Sequence, residues 1–259
     1  MISHDKSAYT EINSKTWDKW AENGCEWTIP ITHEQFLAAK NEGKCEVFLT
    51  PCRPVPTEWF GGLQGKRLLG LASAGAQQMP VFAALGAVCT VLDYSDSQLE
   101  KERLTAEREG YEIEIIKADM TKRLPFADES FDIIFHPVSN CYVRDVLHIW
   151  NECYRILRPG GRLLAGFDNG INFLFDDISK EPLTLKNKLP FDPLSMPDAE
   201  FYRMRDNYEA IQFSHSLEEQ LGGQLSAGFE LRGLFEDRDR DGLLREYTPQ
   251  YIATLALKP

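Results

Sequence analysis

Between residues 68 and 120 the chain contains three short apolar stretches, each followed by small or acidic residues. They read LLGLASAGAQQ, VCTVLDYSDSQL and EIEIIKADM. The segments between them have the periodicity of helices and end at Gly86 and Gly110. Strands that alternate with helices form parallel sheets, because a crossover helix returns the chain to the same end of the sheet. The residues that follow these strands are therefore expected to meet at one edge.

The alternation continues beyond residue 120. Apolar stretches at residues 131–135 and 162–167 predict two more strands, with a helix over residues 143–157 between them. The last two stretches, GFELRGLF and QYIATLALK, are joined without a helix and predict an antiparallel pair at the sheet edge. The sequence therefore predicts an α/β fold whose sheet is mostly parallel.

Two segments lie outside this pattern. Residues 1–60 are a predicted helical cap, with short helices at 13–24 and 33–41 before the boundary stretch TPCRPVPTEWFGG. The core domain is then expected over residues 61–259, interrupted by an insertion at 169–212 in which FYRMRDNYEAIQF favours a β-hairpin. Both segments are rich in aromatic residues, so we expect them over the strand ends, where they can wall an acceptor site.

The composition excludes several classes of function. A formal net charge of −12 opposes non-specific binding of nucleic acid, which requires clustered lysine and arginine. No apolar run approaches the roughly 20 residues of a membrane span, and the first residues lack the apolar core of a signal peptide. The six cysteines contain no CxxC pair, so a disulfide framework is not expected. We expect a soluble cytoplasmic protein without nucleic-acid or membrane partners.

The residues after the first three strands have the chemistry to hold an adenine nucleoside. The first loop opens a helix, whose unpaired backbone N–H groups can face a polar ligand. Asp93 lies about 20 residues further on, where a carboxylate accepts hydrogen bonds from both ribose hydroxyls. Asp119 can accept from the adenine amino group while Met120 packs on the ring. The structural alternatives are a tight turn for the loop, a helix cap for Asp93, a turn residue for Asp119 and a core side chain for Met120.

In their joint order these motifs resemble the class I S-adenosylmethionine-dependent methyltransferases, particularly the small-molecule, type 11-like group. The resemblance covers roughly residues 65–167 and the closing strand pair. It rests on LASAGAQQ, Asp93, ADM, LPFADESFDII and RILRPGGRLLAGF. It implies a doubly wound, Rossmann-like, mostly parallel seven-stranded sheet with an antiparallel last strand. It also implies S-adenosyl-L-methionine as cofactor and methyl transfer (EC 2.1.1.-) to a small-molecule acceptor.

The loop after the first strand departs from the usual pattern of this family. Gly70 stands where an acid is expected, and alanines replace the glycines except at Gly75. Because alanine tolerates positive φ poorly, we expect this loop to follow a different path. The S-x-G-x-Q-Q pattern resembles that of a bacterial subgroup, in which the amides of Gln77 and Gln78 are expected to reach the methionine part of the cofactor.

The resemblance and the strand-end positions together give a set of candidate site residues. The expected cofactor contacts are Ala72, Ser73, Ala74, Gly75, Gln77, Gln78, Asp93, Tyr94, Ser95, Leu99, Asp119, Met120, His136, Pro137 and Val138. The expected acceptor contacts are Trp20, Trp27, Asn140 and Tyr142. His136 is also the candidate general base, since imidazole titrates near neutral pH. Its alternative roles are lining the pocket and packing in the core.

No metal site is expected. The stretch DRDRDG from Asp237 to Gly242 resembles the start of a calcium-binding loop, but its twelfth position is Thr248 instead of the bidentate glutamate such a loop requires. The interleaved arginines also neutralise the carboxylates. We therefore interpret the stretch as a solvated loop between the last two strands.

Two other functions fit parts of the pattern. A nicotinamide-dependent oxidoreductase would use the same strand, loop and Asp93, but Gln77 stands at the third glycine position of its motif and the Asp119–Met120 pair has no role there. A non-catalytic protein that binds an adenosyl nucleoside on the same fold is the second alternative, for which the altered loop is the one hint. Neither the acceptor nor the oligomeric state follows from these patterns.

Overall fold

The computed structural model describes residues 5–175, 177–179 and 181–259. Within them, seven strands form one sheet in the order β3-β2-β1-β4-β5-β7-β6. In chain order the strands are β1 (Arg67–Leu71), β2 (Val88–Asp93), β3 (Ile113–Lys117), β4 (Phe131–His136), β5 (Leu157–Asp168), β6 (Glu230–Asp237) and β7 (Tyr251–Leu257). The first five strands pair in parallel, and β7 lies antiparallel between β5 and β6. The predicted fold class is confirmed.

Helices cover both faces of the sheet. They are α1 (Tyr9–Glu22), α2 (His33–Glu42), α3 (Met79–Ala84), α4 (Asp96–Glu109), α5 (Val146–Ile156), α6 (Asp198–Asp206) and α7 (Gly223–Ala227). Successive strand residues point to opposite faces, so Leu68 joins the core under α3 whereas Leu69 joins the core under α5. Burial on both faces explains why the central strands are continuous apolar runs in the sequence.

The segment before β1 is built into the sheet's core. Val47, Leu49 and Phe60 are buried in the same cluster as α3, and the ring centroid of Phe60 lies 5.5 Å from that of Phe82. The chain also crosses β5 so closely that a Cβ at Gly166 would lie 2.1 Å from the carbonyl oxygen of Leu49. The predicted division at residue 60 therefore separates segments that share one hydrophobic core.

The outer parts of the two non-core segments pack on each other. Ile12 of α1 shares a small cluster with Phe201 of α6 and with Phe213. Asn13 joins them by two hydrogen bonds, since its Nδ2 donates to the Ile211 carbonyl at 2.9 Å and its Oδ1 accepts from the Ile211 N–H at 2.8 Å. The helix α1 and the insertion at residues 169–212 thus form one cap.

The hairpin predicted for residues 201–213 is wrong, because its first half is the helix α6. Phe201 and Arg205 are buried one helical turn apart, and a spacing of four residues between buried side chains fits a helix as well as a strand. The charges decide between them: the first turn is acidic and the last turn basic, which complements the helix dipole. The helix N-cap predicted at Ser216 is present, because Ser216 and Glu219 form reciprocal hydrogen bonds.

Two observations concern the chain as a whole. No helix in the described ranges is both long enough and apolar enough to cross a bilayer. All six cysteines are free, and Cys89, Cys141 and Cys153 are buried. Burial raises the pKa of the Cys89 thiol to about 12, as expected for a cysteine that packs as a small apolar side chain.

We predict that Phe60→Ala destabilises the protein by roughly 3–5 kcal/mol, because a fully buried ring at the centre of an aromatic cluster is removed. Urea unfolding measures this loss. The matched control is Tyr247→Ala, whose ring is 80% exposed and whose loss should stay within about 0.5 kcal/mol. Equal, small effects of both substitutions would show that the segment before β1 does not belong to the core.

Candidate functional site

A cavity of about 1170 Å³ lies at the carboxyl ends of the five parallel strands. Strand-end residues lining it are 72–74, 93–95, 118–121 and 137–139, together with Asp168. The cap contributes Trp17 and Trp20 of α1 and Phe173 of the insertion to the lining. The expected meeting of both outer segments over the strand ends is therefore seen in the lining of this cavity.

Asp93 ends β2 and is held rigidly at the cavity wall. Its Oδ1 accepts hydrogen bonds from the backbone N–H of Tyr94 at 2.7 Å and of Ser95 at 3.0 Å. Its Oδ2 has one long contact, with the Ala74 N–H at 3.4 Å. Burial raises the pKa of Asp93, while these backbone donors act in the opposite direction. The arrangement fixes the carboxylate and leaves most of the acceptor capacity of Oδ2 unused.

The loop between β1 and α3 keeps left-handed backbone conformations at alanines. Ala72 has φ 49° and Ala76 has φ 57°, and Gly75 has φ 103°. Alanine therefore adopts positive φ at two positions of this loop, although it tolerates that conformation poorly. A left-handed non-glycine residue costs roughly 1–2 kcal/mol, so the surrounding structure must hold the loop in place.

Two side chains beneath the loop hold it. The Glu102 Oε1 on α4 accepts a hydrogen bond from the Ala76 N–H at 2.7 Å. Met79 fills the space next to Gly70, because a Cβ on Gly70 would lie 2.4 Å from the Met79 sulfur. Gly70, at the position of the expected acid, thus makes room for the Met79 thioether. The acid that contacts the loop is Glu102, which comes from α4.

Glu102 is a buried acid with one unused oxygen. Its side chain is fully buried, and Oε2 has no hydrogen-bond partner among the described residues. Burial raises the pKa of Glu102 to about 8, and the nearby negative charge of Asp93 acts in the same direction. At neutral pH Glu102 is therefore mostly protonated, which limits the repulsion between the two carboxyl groups under the loop.

The two glutamines at the end of the loop fasten the N-terminal segment to it. The Gln77 Nε2 donates to the carbonyls of Glu26 at 2.9 Å and Ile29 at 3.1 Å. The Gln78 Oε1 accepts from the Phe48 N–H at 3.0 Å. Both residues line the cavity, but these amide groups are engaged within the protein. One polar atom of each amide is thus used within the protein, and the expected contact with the cofactor stays a prediction.

Asp119 and Met120 lie at the end of β3 and line the cavity. The Asp119 Oδ1 accepts from the Thr121 N–H at 2.9 Å and from its hydroxyl at 2.7 Å. One oxygen therefore shapes the turn, as its structural interpretation predicts. Met120 is partly buried against the core under α5, so it presents an apolar surface next to the carboxylate.

His136 lies outside the cavity lining, which corrects its prediction as pocket residue and general base. It is the last residue of β4 and is fully buried. Its Nδ1 lies 2.9 Å from the Leu71 carbonyl oxygen and its Nε2 lies 2.8 Å from the Asn140 Oδ1. Burial lowers the pKa of His136. Both ring nitrogens are therefore used to join strand ends, and neither faces a ligand.

Fifteen of the predicted residues line the cavity: Ala72, Ser73, Ala74, Gln77, Gln78, Asp93, Tyr94, Ser95, Asp119, Met120, Pro137, Val138, Trp20, Trp27 and Tyr142. Four do not: Gly75, Leu99, His136 and Asn140. Gly75 faces α4, where a Cβ would lie 3.0 Å from the Gln98 amide nitrogen, and Leu99 is buried in the core under α3. Asn140 is fully buried between His136 and Gln220.

The structure adds cavity residues that the sequence interpretation missed: Phe48, Asp168, Asn172, Gln212, Asp239, Arg240 and Tyr251. Asp168 ends β5. Asp93 and Asp119 are predicted because they are acidic residues at the ends of strands, and Asp168 meets the same criterion. Asp239 and Arg240 come from the stretch first compared with a calcium loop. They reach the cavity because the loop after β6 folds back over the strand ends.

The acidic stretch at residues 237–242 is used within the protein. The Asp237 Oδ2 accepts hydrogen bonds at 2.8 Å from the Thr50 hydroxyl and from the N–H groups of Cys52 and Arg53. Asp237 therefore anchors the turn at residues 50–53 to the end of β6. Within the described ranges, no group of three or more His, Cys, Asp or Glu side chains is arranged to hold a metal ion.

The chain is similar to known methyltransferases. Residues 69–165 match the family model described as "Methyltransferase domain". The chain is 42% identical over 255 residues to the uncharacterized methyltransferase YbaJ of Bacillus subtilis (strain 168), which covers 97% of this chain and 99% of that protein. A demethylmenaquinone methyltransferase of Mycobacterium sp. (strain KMS) is 36% identical over 120 residues, 46% of this chain and 49% of that protein.

Solved structures share the fold at low sequence identity. The S-adenosylmethionine-dependent methyltransferase from Mesorhizobium loti aligns with a TM-score of 0.57 and 18% identity, over 75% of this chain and 92% of that chain. A SAM-dependent methyltransferase from Methanosarcina mazei aligns with a TM-score of 0.57 and 17% identity, over 79% of this chain and 98% of that chain. At this identity the likeness concerns the fold.

We predict that Glu102→Gln changes how stability depends on pH. The pKa of Glu102 is about 8 in the folded protein and 4.5 in a model peptide, so the folded state binds more protons between these values. Wild-type stability therefore falls as pH rises from 4.5 to 8, by up to roughly 1 kcal/mol per pH unit from this group. Glutamine cannot ionise, so the variant should gain stability relative to wild type over that range.

Urea unfolding at pH 5, 6.5 and 8 measures the stability difference between variant and wild type. The control is Glu107→Gln, an exposed glutamate of the same helix that pairs with Arg103. Its difference from wild type should not change with pH. A pH-independent difference for Glu102→Gln would mean that Glu102 is ionised in the folded protein.

Proposed function

Because the chain belongs to the family of S-adenosylmethionine-dependent methyltransferases, we propose that it transfers a methyl group to a small-molecule acceptor bound in the cavity. The observation that carries the proposal is the Asp93 carboxylate, fixed by backbone N–H groups at the end of β2 with Oδ2 nearly unused. A carboxylate in this position suits the two hydroxyls of a ribose. The oxidoreductase and the non-catalytic alternatives have no support among the relatives.

The described residues fit the cofactor chemically. Ser73 lines the cavity, and its hydroxyl is buried and has no hydrogen-bond partner among the described residues. A buried hydroxyl without a partner is costly, so a polar ligand group next to it would stabilise the site. In this proposal Asp93 holds the ribose, Asp119 and Met120 hold the adenine, and the loop at residues 72–78 holds the amino-acid part.

The cavity also has a suitable charge. Its lining includes five acidic side chains, Glu46, Asp93, Asp119, Asp168 and Asp239, and one arginine, Arg240. The Arg240 guanidinium is paired with Glu26 at 2.5 Å, so the surface remains negative. A negative cavity attracts a cationic ligand, and S-adenosylmethionine supplies its methyl group from a positively charged sulfonium.

The cap supplies the apolar wall of the acceptor site. Trp17 contacts both Trp20 and Tyr142 edge-on, with ring centroids 5.1 and 5.8 Å apart. The Ser14 hydroxyl fixes α1 to the end of β2 by donating to the Tyr94 carbonyl at 2.7 Å. Methyl transfer is an in-line displacement, so a wall that orients the acceptor and excludes water supplies much of the catalysis.

The size of the cavity supports a metabolite-sized acceptor. Pockets for one drug-sized ligand hold about 300–1000 Å³, and this cavity holds about 1170 Å³. A cofactor and a small acceptor together fill such a volume. The match to the demethylmenaquinone methyltransferase of Mycobacterium sp. (strain KMS) covers 46% of the chain, so its acceptor is not part of this proposal.

We predict that Asp93→Asn weakens the binding of S-adenosylhomocysteine by roughly 1–3 kcal/mol, or about 5- to 150-fold. The asparagine Oδ1 still accepts from the two backbone N–H groups, so the turn is kept while the charge is lost. Isothermal titration calorimetry measures the affinity. The control is Asp96→Asn, which removes an exposed carboxylate three residues away that pairs with Lys117.

An unchanged affinity in Asp93→Asn would remove Asp93 from the cofactor site. Binding of NADH, together with no binding of either S-adenosylmethionine or S-adenosylhomocysteine to the wild type, would overturn methyl transfer as the function.

A further inference from the structure

Asp168 is a buried carboxylate at the acceptor end of the cavity. It is the last residue of β5, lies opposite Tyr251 of β7 in the sheet register, and is 7% exposed. The residues after β1, β2 and β3 surround the proposed cofactor site, whereas Asp168 lies on the side of the insertion and the last loop. The nearby cavity residues there are Asn172, Phe173, Asp239, Arg240 and Tyr251.

The hydrogen bonds of Asp168 leave an oxygen available. Within the described ranges its carboxylate accepts one hydrogen bond, from the Gly170 N–H to Oδ1 at 2.9 Å, and it forms no ion pair with a lysine or arginine. By contrast, Asp237 accepts three hydrogen bonds at Oδ2 alone. A buried carboxylate without a counter-charge is costly unless a donor reaches it.

The neighbouring side chains do not supply that donor. The Tyr251 hydroxyl donates to the Asp239 Oδ2 at 3.2 Å. The His215 Nε2 lies 3.1 Å from the Asn140 carbonyl oxygen and 2.8 Å from the Val143 carbonyl oxygen, so this nitrogen contacts backbone oxygens instead of Asp168. Cys141 is a free, buried thiol. The remaining open side of Asp168 is the cavity itself.

A second polar group on this side also lacks a partner. The Asn172 Oδ1 is buried and accepts no hydrogen bond from the described residues, and Asn172 lines the same cavity. Both unused atoms are acceptors, so their common need is a ligand that carries hydrogen-bond donors. Phe173 and Tyr251 supply apolar ring surface beside them.

We propose that Asp168 is the proton acceptor of the reaction and that the methyl acceptor is a small molecule with an O–H or N–H nucleophile. The inference rests on the proposed function. The acceptor oxygen or nitrogen forms a bond to the methyl carbon as the methyl–sulfur bond breaks, and that electron pair stays on sulfur. The proton of the nucleophile passes to the Asp168 carboxylate, so no other reactant is needed.

The pH dependence follows from the surroundings of Asp168. Burial raises the pKa of Asp168 to about 6, while the Gly170 N–H and His215 act in the opposite direction. The titratable groups around it are Cys141 after β4, His215 after the insertion, and Tyr251 and Asp239 at β7 and the last loop. Proton transfer requires the ionised carboxylate, so turnover should fall as pH decreases through about 6.

The test uses the full chain and methyl-labelled S-adenosylmethionine with a panel of simple probes: phenols, catechols, aryl amines, alkyl amines, thiols and carboxylic acids. We expect methylation of probes from the phenol, catechol or amine groups. Asp168→Asn should then lower kcat by about 100-fold or more, with little change in KM and with wild-type affinity for S-adenosylhomocysteine. The variant should also lose the decrease of kcat/KM below about pH 6.

Asp168→Asn retains an oxygen for the Gly170 N–H, and urea unfolding checks that it is folded. Asp168→Glu, which restores the carboxylate, should recover part of the activity. The control is Asp241→Asn, an exposed acid of the last loop whose kcat should equal that of wild type.

Full activity of Asp168→Asn, methylation confined to thiols or carboxylic acids, or no methylation of any probe would overturn the assignment. The affinity of the wild type for S-adenosylhomocysteine distinguishes a failure of the role proposed for Asp168 from a failure of the proposed function. If the wild type binds it, the proposed function stands while the role of Asp168 fails. If the wild type does not bind it, both fail.

Discussion

The parallel pairing of β1 with β2 and β4, and of β4 with β5, is the constraint on which the other features depend. In a parallel sheet each strand ends at the same edge, so loops that are far apart in sequence come together there. The carboxylates of Asp93, Asp119 and Asp168 come from three such ends and line one cavity. An antiparallel arrangement of the same strands would place neighbouring loops at opposite edges and would leave no shared site.

The loop after β1 adopts left-handed backbone conformations at residues other than glycine. Glycine normally supplies positive φ without strain, yet here Ala72 and Ala76 adopt it. Two hydrogen bonds hold the loop from both sides. The Ala76 N–H donates to Glu102, and the Phe48 N–H donates to Gln78. The packing of Met79 against Gly70 adds to this support. Tertiary contacts therefore carry a strain of a few kcal/mol that local sequence disfavours.

The aspartates at the strand ends differ in how many hydrogen-bond donors they already have, and that difference guides the roles proposed for them. Asp237 is saturated with donors and anchors a turn. Asp93 has one saturated oxygen and one that is nearly unused. Asp168 has a single donor although it is almost completely buried. Because an unsatisfied buried acid lowers stability, its position in a cavity is best explained by a ligand.

The sequence by itself determined the order of strands and helices, the family, and most strand-end residues of the site, because apolar periodicity and turn residues are local signals. It could not determine that Phe60 and Leu49 belong to the sheet's core, or that His136 lies outside the lining of the cavity. It also missed Asp168 and Tyr251, which meet only through the pairing of β5 with β7. Such contacts depend on long-range packing, where burial and hydrogen bonding override local preference, and the tertiary structure alone decided them.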